Sequence, residues 1–205
     1  MKKGPCTCQN QANKEGCDIH QNLLCRHNKK ETQFMFFMML PFYITSFGGL
    51  IKVGMGLWII PWVAYITFFF IIIEGNIICG HCPYYDMPGK TLKCPGNYGV
   101  PKLFKYKPGP MSKAERILFI ITAFSTLMYP VVLLTIAKEY LLVAIAAASI
   151  IQLVLIFRKC ICNRCVNFSC PNNTTDKSLK DAYFAQNTTM SEAWKKAGAL
   201  EEEST

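Results

Sequence analysis

Two long apolar runs, residues 34–78 and 117–157, constrain this chain more than any other feature of its sequence. Each run contains only two charged residues. A helix that crosses a bilayer needs about 20 mostly apolar residues, so each run is long enough for two crossings. As a single helix, the second run would reach roughly 60 Å, about twice the thickness of the hydrocarbon layer. An ordinary soluble enzyme, a collagen-like chain and a disordered chain are therefore excluded.

Each run is interrupted near its middle, which predicts a pair of helices. Lys138-Glu139 is too polar to remain at mid-bilayer and separates helices predicted over 117–137 and 140–157. A stretch with four glycines separates helices predicted near 34–51 and 55–78. The predicted fold is an all-α membrane protein, with four transmembrane helices in two hairpins and a cysteine-rich cytoplasmic cap. Two spans with re-entrant segments are the alternative.

The boundaries of these runs divide the chain into six parts. They are a cysteine-rich cytoplasmic N-terminal arm (1–33), transmembrane hairpin 1 (34–78), a cytoplasmic loop rich in Cys, Lys and Pro (79–116), transmembrane hairpin 2 (117–157), a cysteine cluster (158–175) and a polar C-terminal tail (176–205). In the tail we expect short helices over 176–185 and 191–200, with Thr189 and Glu192 as a capping box.

The distribution of basic residues predicts the orientation. Six Lys and Arg residues lie in the N-terminal arm, seven in the central loop and three directly after the last span, whereas the opposite turns contain one each, Lys52 and Lys138. The positive-inside rule then places both termini and every cysteine in the cytoplasm, with the spans in the inner membrane. Four triplets after the last span fit the glycosylation pattern and favour the opposite orientation. They begin at Asn167, Asn172, Asn173 and Asn187. Such triplets arise readily in an Asn/Thr-rich tail, so we follow the charges. The polar first 33 residues do not resemble a secretory signal peptide.

The predicted spans contain little that indicates chemistry of their own. His20, His27 and His81 lie outside them, so no pair of histidines can hold a haem inside the bilayer. The charged residues of the runs lie near span ends, which disfavours a proton-coupled transporter. Trp58 and Trp62 are expected in an interfacial aromatic belt. We therefore expect the bundle to act as an apolar mount.

All eleven cysteines fall in segments predicted to be cytoplasmic. Cysteine is apolar enough for a lipid-facing helix, so this segregation indicates chemistry rather than packing. Because cytosolic thiols are kept reduced, such clusters favour metal binding or catalysis over structural disulfides. Cys79-Gly-His-Cys82 and Cys162-Asn-Arg-Cys165 are C-x-x-C motifs that follow two predicted spans on the same face. If those spans are neighbours, the motifs can form one four-sulfur site for zinc or an iron–sulfur cluster.

Two groups of cysteines are candidate metal or cluster ligands. The first consists of Cys79, Cys82, Cys94, Cys160, Cys162, Cys165 and Cys170. The second and weaker group, in the N-terminal arm, consists of Cys6, Cys8, Cys17 and Cys25, with His20 and His27 close by in sequence. The polar arm has no core of its own, so any order there must come from a metal or another protein. His81 is a ligand, a hydrogen-bond partner or a solvated side chain.

Proline favours an iron–sulfur cluster over zinc. Three of the cysteines precede a proline, at Cys82, Cys94 and Cys170, and the ferredoxin run also ends in a Cys-Pro pair. The run from Cys160 to Cys170 resembles the ferredoxin run in density and ending, but its spacing differs. A four-span protein with cytoplasmic Cys-Pro clusters is similar in architecture to membrane ferredoxin-type quinol dehydrogenase subunits, with which this chain shares no diagnostic motif.

The segment 98–111 is basic and aromatic and contains three prolines, so we expect an extended loop over the cytoplasmic face. This loop contacts anionic lipid headgroups, or it is a docking surface for an acidic electron carrier or partner protein. Nucleic acid is not expected as a partner, because no nucleic-acid-binding motif accompanies the positive charge.

Three functions are consistent with these features. The first is iron–sulfur-mediated electron transfer at the cytoplasmic membrane face, between a soluble carrier and a membrane partner or larger complex. The second is a membrane scaffold or assembly subunit stabilised by structural zinc. The third is a four-helix thiol–disulfide oxidoreductase that uses one of the two C-x-x-C motifs. The sequence assigns no catalytic residue and does not decide whether the chain is an enzyme.

Overall fold

The computed structural model describes Ile19 and residues 22–25, 29–94 and 96–200. The regular secondary structure of these residues is helical; no strand occurs among them, and Thr91 and Pro101 form one isolated antiparallel bridge. Four helical segments are long and apolar enough to cross a membrane, which confirms the prediction of an all-helical chain with four such helices. They are Lys29–Lys52, Gly56–His81, Lys113–Ile136 and Tyr140–Arg164, here called spans 1 to 4.

The spans differ in how regular they are. Helix α1 (Lys29–Lys52) forms span 1, and α4 (Lys113–Ile136) forms span 3. Span 2 consists of a 3-10 turn (Gly56–Trp58), α2 (Ile59–Phe68), a π-helical segment (Phe69–Glu74), α3 (Gly75–Ile77) and a second 3-10 turn (Cys79–His81). Span 4 consists of α5 (Tyr140–Cys160) and a 3-10 turn (Cys162–Arg164). Two short helices follow, α6 (Lys177–Gln186) and α7 (Thr188–Lys196).

Span 3 begins at Lys113, earlier than the predicted residue 117, because Ser112 caps the helix. The backbone N–H of Glu115 donates to Ser112 Oγ over 3.2 Å, and the backbone N–H of Ser112 donates to Glu115 Oε2 over 2.9 Å. This reciprocal capping box satisfies donors that the first helical turn would otherwise leave without partners. Hydropathy alone marks only the apolar part of the helix and misses its polar first turn.

The turns that follow spans 1 and 3 lie at the same end of the bundle. Lys138 adopts a positive φ of 60° where the chain turns between α4 and α5. The adjacent Glu139 accepts hydrogen bonds of 3.0 and 3.1 Å from Lys52 Nζ at the end of α1. Spans 2 and 4 therefore both start at this end, and both lead to cysteine-containing segments at the other.

Trp62 lies at the centre of the bundle, contrary to its predicted place in an interfacial belt. Its side chain is fully buried and packs against Phe42, Phe47 and Tyr129. The indole Nε1–H donates to the carbonyl oxygen of Thr126 over 3.0 Å. A buried indole N–H needs such a partner, and the carbonyl of Thr126 in α4 supplies it. Thr126 and Pro130 of this helix are both buried. Trp58 is half exposed, as expected of a belt residue.

Small residues allow α1 to pack closely on its neighbours. Gly49 is buried, and a Cβ added there would lie 3.0 Å from Leu134 of α4 and 3.2 Å from Leu142 of α5. Ser46 of α1 and Ala146 of α5 are fully buried where α1 makes its main contact, which is with α5. Helices in membranes associate through such small residues because lipid provides no hydrophobic driving force between them. Span 1 therefore packs chiefly on span 4.

The described part of the N-terminal arm is packed, although the sequence analysis expected no core there. Ile19, Leu23 and Cys25 are buried in one apolar cluster with residues from the segment after span 4 and from both short helices, among them Val166, Phe168, Tyr183, Phe184 and Met190. The arm lacks enough apolar residues for a core of its own, but it adds three to a core that other segments build. A bound metal is therefore not required to order residues 22–25.

Helix α7 begins at Thr188 and is capped by Asn187, so the predicted capping box of Thr189 and Glu192 is wrong. The side-chain oxygen of Asn187 accepts a hydrogen bond of 3.1 Å from the backbone N–H of Met190. Asparagine is among the best N-cap residues, and burial of Met190 against the apolar cluster fixes where the helix starts.

Candidate thiol centre

Eight of the eleven cysteines lie among the described residues; Cys6, Cys8 and Cys17, together with His20 and His27, lie outside them. Cys79 and Cys82 are buried at the end of span 2, and Cys94 is partly buried in the loop that follows. The cysteines after α5 are partly buried, at Cys162, Cys165 and Cys170. Cys160 is exposed, and Cys25 is buried in the apolar cluster that also contains Cys82.

Four thiols, two in the central loop and two in the segment after span 4, interact with one another electrostatically. Burial raises the pKa of Cys82 well above its ordinary value, and the neighbouring Cys165, Cys94 and Cys170 raise it further. Burial likewise raises the pKa of Cys165, with Cys170 and Cys94 among its neighbours. We call these four residues, Cys82, Cys94, Cys165 and Cys170, the thiol centre. Its members come from distant parts of the chain and from the ends of two different spans.

Two sulfurs of the thiol centre, those of Cys94 and Cys165, each accept a hydrogen bond from a backbone N–H a few residues further along the chain. The donor to Cys94 is Asn97, at 3.2 Å, and the donor to Cys165 is Asn167, at 3.4 Å. Donors that point at a sulfur favour its thiolate form. Burial outweighs them here, and raises the pKa of Cys94 and of Cys170 to about 11.

Two buried asparagines connect the cysteine segments to the end of span 2. Asn167 Nδ2 donates to the carbonyl oxygen of Ile78 over 2.8 Å, which ties the segment after span 4 to the residue before Cys79. Asn97 Nδ2 donates to Glu74 Oε1 over 2.8 Å and to Cys79 Sγ over 3.2 Å, which ties the central loop to the same helical end. Span 2 changes from π-helical to α-helical winding at this point, between Glu74 and Gly75.

The N-terminal arm bridges the two cysteine segments. The backbone N–H of Leu24 donates to the carbonyl oxygen of Arg164 over 2.7 Å, inside the second C-x-x-C motif. The carbonyl oxygen of Leu24 accepts a hydrogen bond of 2.8 Å from the hydroxyl of Tyr84, which follows Cys82-Pro83. Leu24 and Tyr84 are both buried. Leu24 is therefore bonded to both cysteine segments, and the arm packs in the apolar cluster that contains Cys82.

His81 is buried, so the expectation of a solvated side chain is wrong. The expectations of a ligand and of a hydrogen-bond partner are both compatible with burial. Its Nδ1 lies 2.7 Å from the carbonyl oxygen of Gly109, and its Nε2 lies 3.5 Å from Glu115 Oε1. Lys107 Nζ pairs with the same carboxylate oxygen over 3.0 Å. His81 thus connects the end of span 2 to the start of span 3 as a hydrogen-bond partner.

The basic loop is extended and lies against the end of span 2. The backbone N–H of Lys107 donates to the carbonyl oxygen of Gly80 over 2.8 Å, and Phe104 packs beside Gly75. Lys102 donates to the carbonyl oxygen of Met87 and lies over the ring of Tyr85. Exposed positions on the central loop (79–116) include Lys90, Lys93, Tyr98, Leu103 and Lys105.

Three of the four possible glycosylation acceptors have structural roles. Asn167 and Asn187 are buried, and both side chains make the hydrogen bonds described above. Asn173 Nδ2 donates to the carbonyl oxygens of Cys165 and Asn167, over 2.7 and 3.1 Å. Asn172 is exposed. The triplets therefore carry little weight as evidence for a glycosylated, extracytoplasmic tail.

Among the described residues, no group of three or more His, Cys, Asp and Glu side chains is placed so that it could hold a metal ion. Comparisons of the chain with protein-family models, with curated proteins and with solved structures found no match.

The cysteines of the thiol centre are among the predicted ligands, whereas the residues that connect them were not predicted. Asn97 and Asn167 each follow a cysteine, by three and two positions, and that spacing is the one signal the sequence contains for them. Leu24 and Tyr84 act through a backbone group and a hydroxyl, and no motif marks either residue.

Proposed function

We propose that this chain is an integral membrane protein of two helical hairpins whose cytoplasmic, cysteine-rich cap binds an iron–sulfur cluster and transfers electrons at the inner membrane face. The observation that carries the proposal is the thiol centre, in which four cysteines from two distant segments share one end of the bundle and two of them, Cys94 and Cys165, accept a backbone hydrogen bond. Hydrogen bonds to sulfur are among the features that set the potential of such clusters.

The orientation follows from charge and from the two ends of the bundle. The end with the Lys52–Glu139 ion pair has few basic residues, whereas the end with the thiol centre has the basic loop and the basic residues after span 4. Positive-inside bias places the second end in the cytoplasm. Three of the four asparagines in the glycosylation triplets take part in packing and hydrogen bonds, which weakens the sequence support for the opposite orientation.

A metal centre would supply what the thiols lack. Burial raises their pKa values, so without a cation they stay protonated at neutral pH. A bound metal favours the thiolate and releases the protons, as it does at other cysteine sites. Among the described residues no three of these side chains are placed so that they could hold a metal ion, so binding also requires the cysteines to rearrange. Cys79 and Cys162 lie next to the thiol centre in sequence and are further candidate ligands.

A structural zinc site is the second candidate, favoured by the position of Cys82 in the apolar cluster that joins the arm, both cysteine segments and the tail helices. A tetrahedral zinc ion there would lock these parts together as a scaffold. The oxidoreductase alternative has less support, because reactive thiols have lowered pKa values and those of Cys82 and Cys165 are raised.

The exposed lysines around Cys94 suit an acidic electron carrier. Lys90 and Lys93 lie in the same loop as Cys94, and Tyr98 adds an exposed aromatic ring. Positive charge beside a redox centre raises the rate at which a negatively charged partner arrives. Weakening of this interaction by salt is the corresponding expectation.

The test is anaerobic purification followed by iron, acid-labile sulfide and zinc analysis and by visible absorption spectroscopy. We expect iron and sulfide together with a visible absorption band that dithionite bleaches. Cys82→Ser and Cys165→Ser should each abolish the band, whereas Cys160→Ser, at the exposed cysteine, should keep it. Zinc without iron would select the scaffold, and a protein that binds neither metal would refute the proposal.

A further inference from the structure

The ends of spans 1 and 4 place two pairs of exposed basic residues at one boundary of the membrane. Lys29 and Lys30 are the first two residues of α1, and Arg158 and Lys159 lie in the last turn of α5. Span 1 leads away from the end that has the thiol centre, and span 4 leads back to it. The two pairs therefore lie at the same end of two neighbouring helices, and we call these four residues the basic junction.

Two side-chain contacts fix how spans 1 and 4 lie against each other. Gln152 Nε2 donates to Met38 Sδ over 4.0 Å. Seven residues closer to the thiol centre on each helix are Lys159 and Glu31, and Glu31 Oε1 lies 3.8 Å from Arg164 Nη1. Seven residues are about two helical turns, so Lys159 is on the same helix face as Gln152. The two basic pairs are thus level with each other where the spans meet.

The basic residues share helix faces with exposed apolar side chains. Phe37 lies seven residues after Lys30, and Ile151 lies seven residues before Arg158. The side chains of Phe37 and Ile151 are each 60% exposed. Seven residues cover about 10 Å of helix, so a charge at the boundary and an apolar surface deeper in the span follow each other on both helices. A phospholipid has the same order of groups, with a charged headgroup above its acyl chains.

The charge where these spans meet is positive. Glu31 is a carboxylate there, and it already pairs with Arg164. Asp176 is a second carboxylate, two residues after Thr174, whose hydroxyl donates to the carbonyl oxygen of Arg158 over 3.1 Å. The basic junction and Arg164 together supply five basic residues against these two carboxylates. The local potential therefore favours an anion.

We infer that the basic junction binds the headgroup of an anionic phospholipid, whose acyl chains lie along Phe37 and Ile151. Basic pockets between transmembrane helices at the cytoplasmic side bind such headgroups. The site is separate from the central loop and does not depend on a metal. An acidic protein would fit the charges alone, whereas a lipid also fits the apolar surface on the same helix faces.

The test is native mass spectrometry of the full-length protein in a neutral detergent, titrated with phosphatidylglycerol or with phosphatidylcholine. We expect the wild-type protein to retain phosphatidylglycerol in preference. Arg158→Gln/Lys159→Gln and Lys29→Gln/Lys30→Gln should each weaken this binding about 30-fold, because each basic residue near an anionic surface contributes about five-fold. Lys195→Gln/Lys196→Gln is the matched control, since it removes two adjacent exposed lysines from the end of α7, and should bind as the wild type does.

Two further measurements need no variant and identify the occupant. Added salt should weaken the binding of phosphatidylglycerol, because it screens the charges, and should leave phosphatidylcholine unaffected. Soluble glycerol 3-phosphate should not compete, because it has the phosphate but no acyl chain. Equal retention of both lipids, no effect of salt, or wild-type affinity in a folded junction variant would overturn the inference. Displacement of the lipid by glycerol 3-phosphate or by polyglutamate would overturn it as well, in favour of a free phosphate or an acidic protein.

Discussion

The hydrogen bond between Tyr84 and Leu24 holds the N-terminal arm over the thiol centre, and Tyr84→Phe removes the hydroxyl that makes it. Both residues are buried, so water cannot readily replace the bond. A bond of this kind contributes about 0.5–1.5 kcal/mol net. Because about 1.4 kcal/mol corresponds to a factor of ten, the population with an open arm should rise roughly 2- to 13-fold.

The assay is the alkylation rate of Cys82 in the metal-free protein in detergent, resolved by peptide mass spectrometry. When opening and closing are fast relative to alkylation, the rate follows the population of the open state. The rate at Cys82 should therefore rise by the same factor. Exposed Cys160 provides an internal control, and Tyr140→Phe, at an exposed tyrosine, provides a matched variant.

Two outcomes would refute this reasoning. An unchanged rate at Cys82 in Tyr84→Phe would mean that the arm does not protect the centre. A rise of similar size in the Tyr140→Phe variant would mean that alkylation reports general loosening rather than opening of the arm.

Three further predictions concern the bundle, the tail and the thiols. Trp62→Phe loses the hydrogen bond to the Thr126 carbonyl and should lower the free energy of unfolding by about 0.6–1.5 kcal/mol, measured by denaturation in detergent, whereas Trp58→Phe should have little effect. Asn187→Ala removes the cap of α7 and should cost about 0.5–2 kcal/mol, seen as faster hydrogen exchange at the start of that helix. Burial raises the pKa of Cys94 from 9.0 to about 11, so the unfolded chain loses this proton at a lower pH than the folded one. The metal-free protein should therefore lose stability as the pH rises through that window, which thermal unfolding at several pH values would measure.

The spans could be predicted because a segment that lies in lipid must consist almost entirely of apolar residues. A run of about 20 apolar residues without charge favours a transmembrane helix, and Lys138-Glu139 marks the turn between two such helices. Their ends were less predictable, since Ser112 and Glu115 extend span 3 through a local capping box that hydropathy does not register.

Which face of a helix is buried could not be predicted for the bundle. Tryptophan is a residue type that is common at membrane interfaces. Trp62 nevertheless lies in the core, because aromatic side chains of α1 and α4 surround it. The same holds for the arm, where Leu23 and Cys25 are buried by packing on residues far away in sequence, from Cys82 to Met190. Local sequence contains no information about such partners.

The site was predictable as far as its cysteines. The two C-x-x-C motifs follow spans that lead to the same end of the bundle, where Cys165 raises the pKa of Cys82. The connections made by Asn97 and Asn167 could not be predicted, because an asparagine side chain finds its acceptor only after the helices have packed.

The most direct test of a shared centre is site-resolved protection of the thiols in the metal-loaded protein. If Cys82, Cys94, Cys165 and Cys170 bind one centre, all four should resist alkylation and should become reactive together as a chelator removes the metal, while Cys160 reacts throughout. Release of the pair from the central loop and the pair from the C-terminal segment at different chelator concentrations would contradict the account.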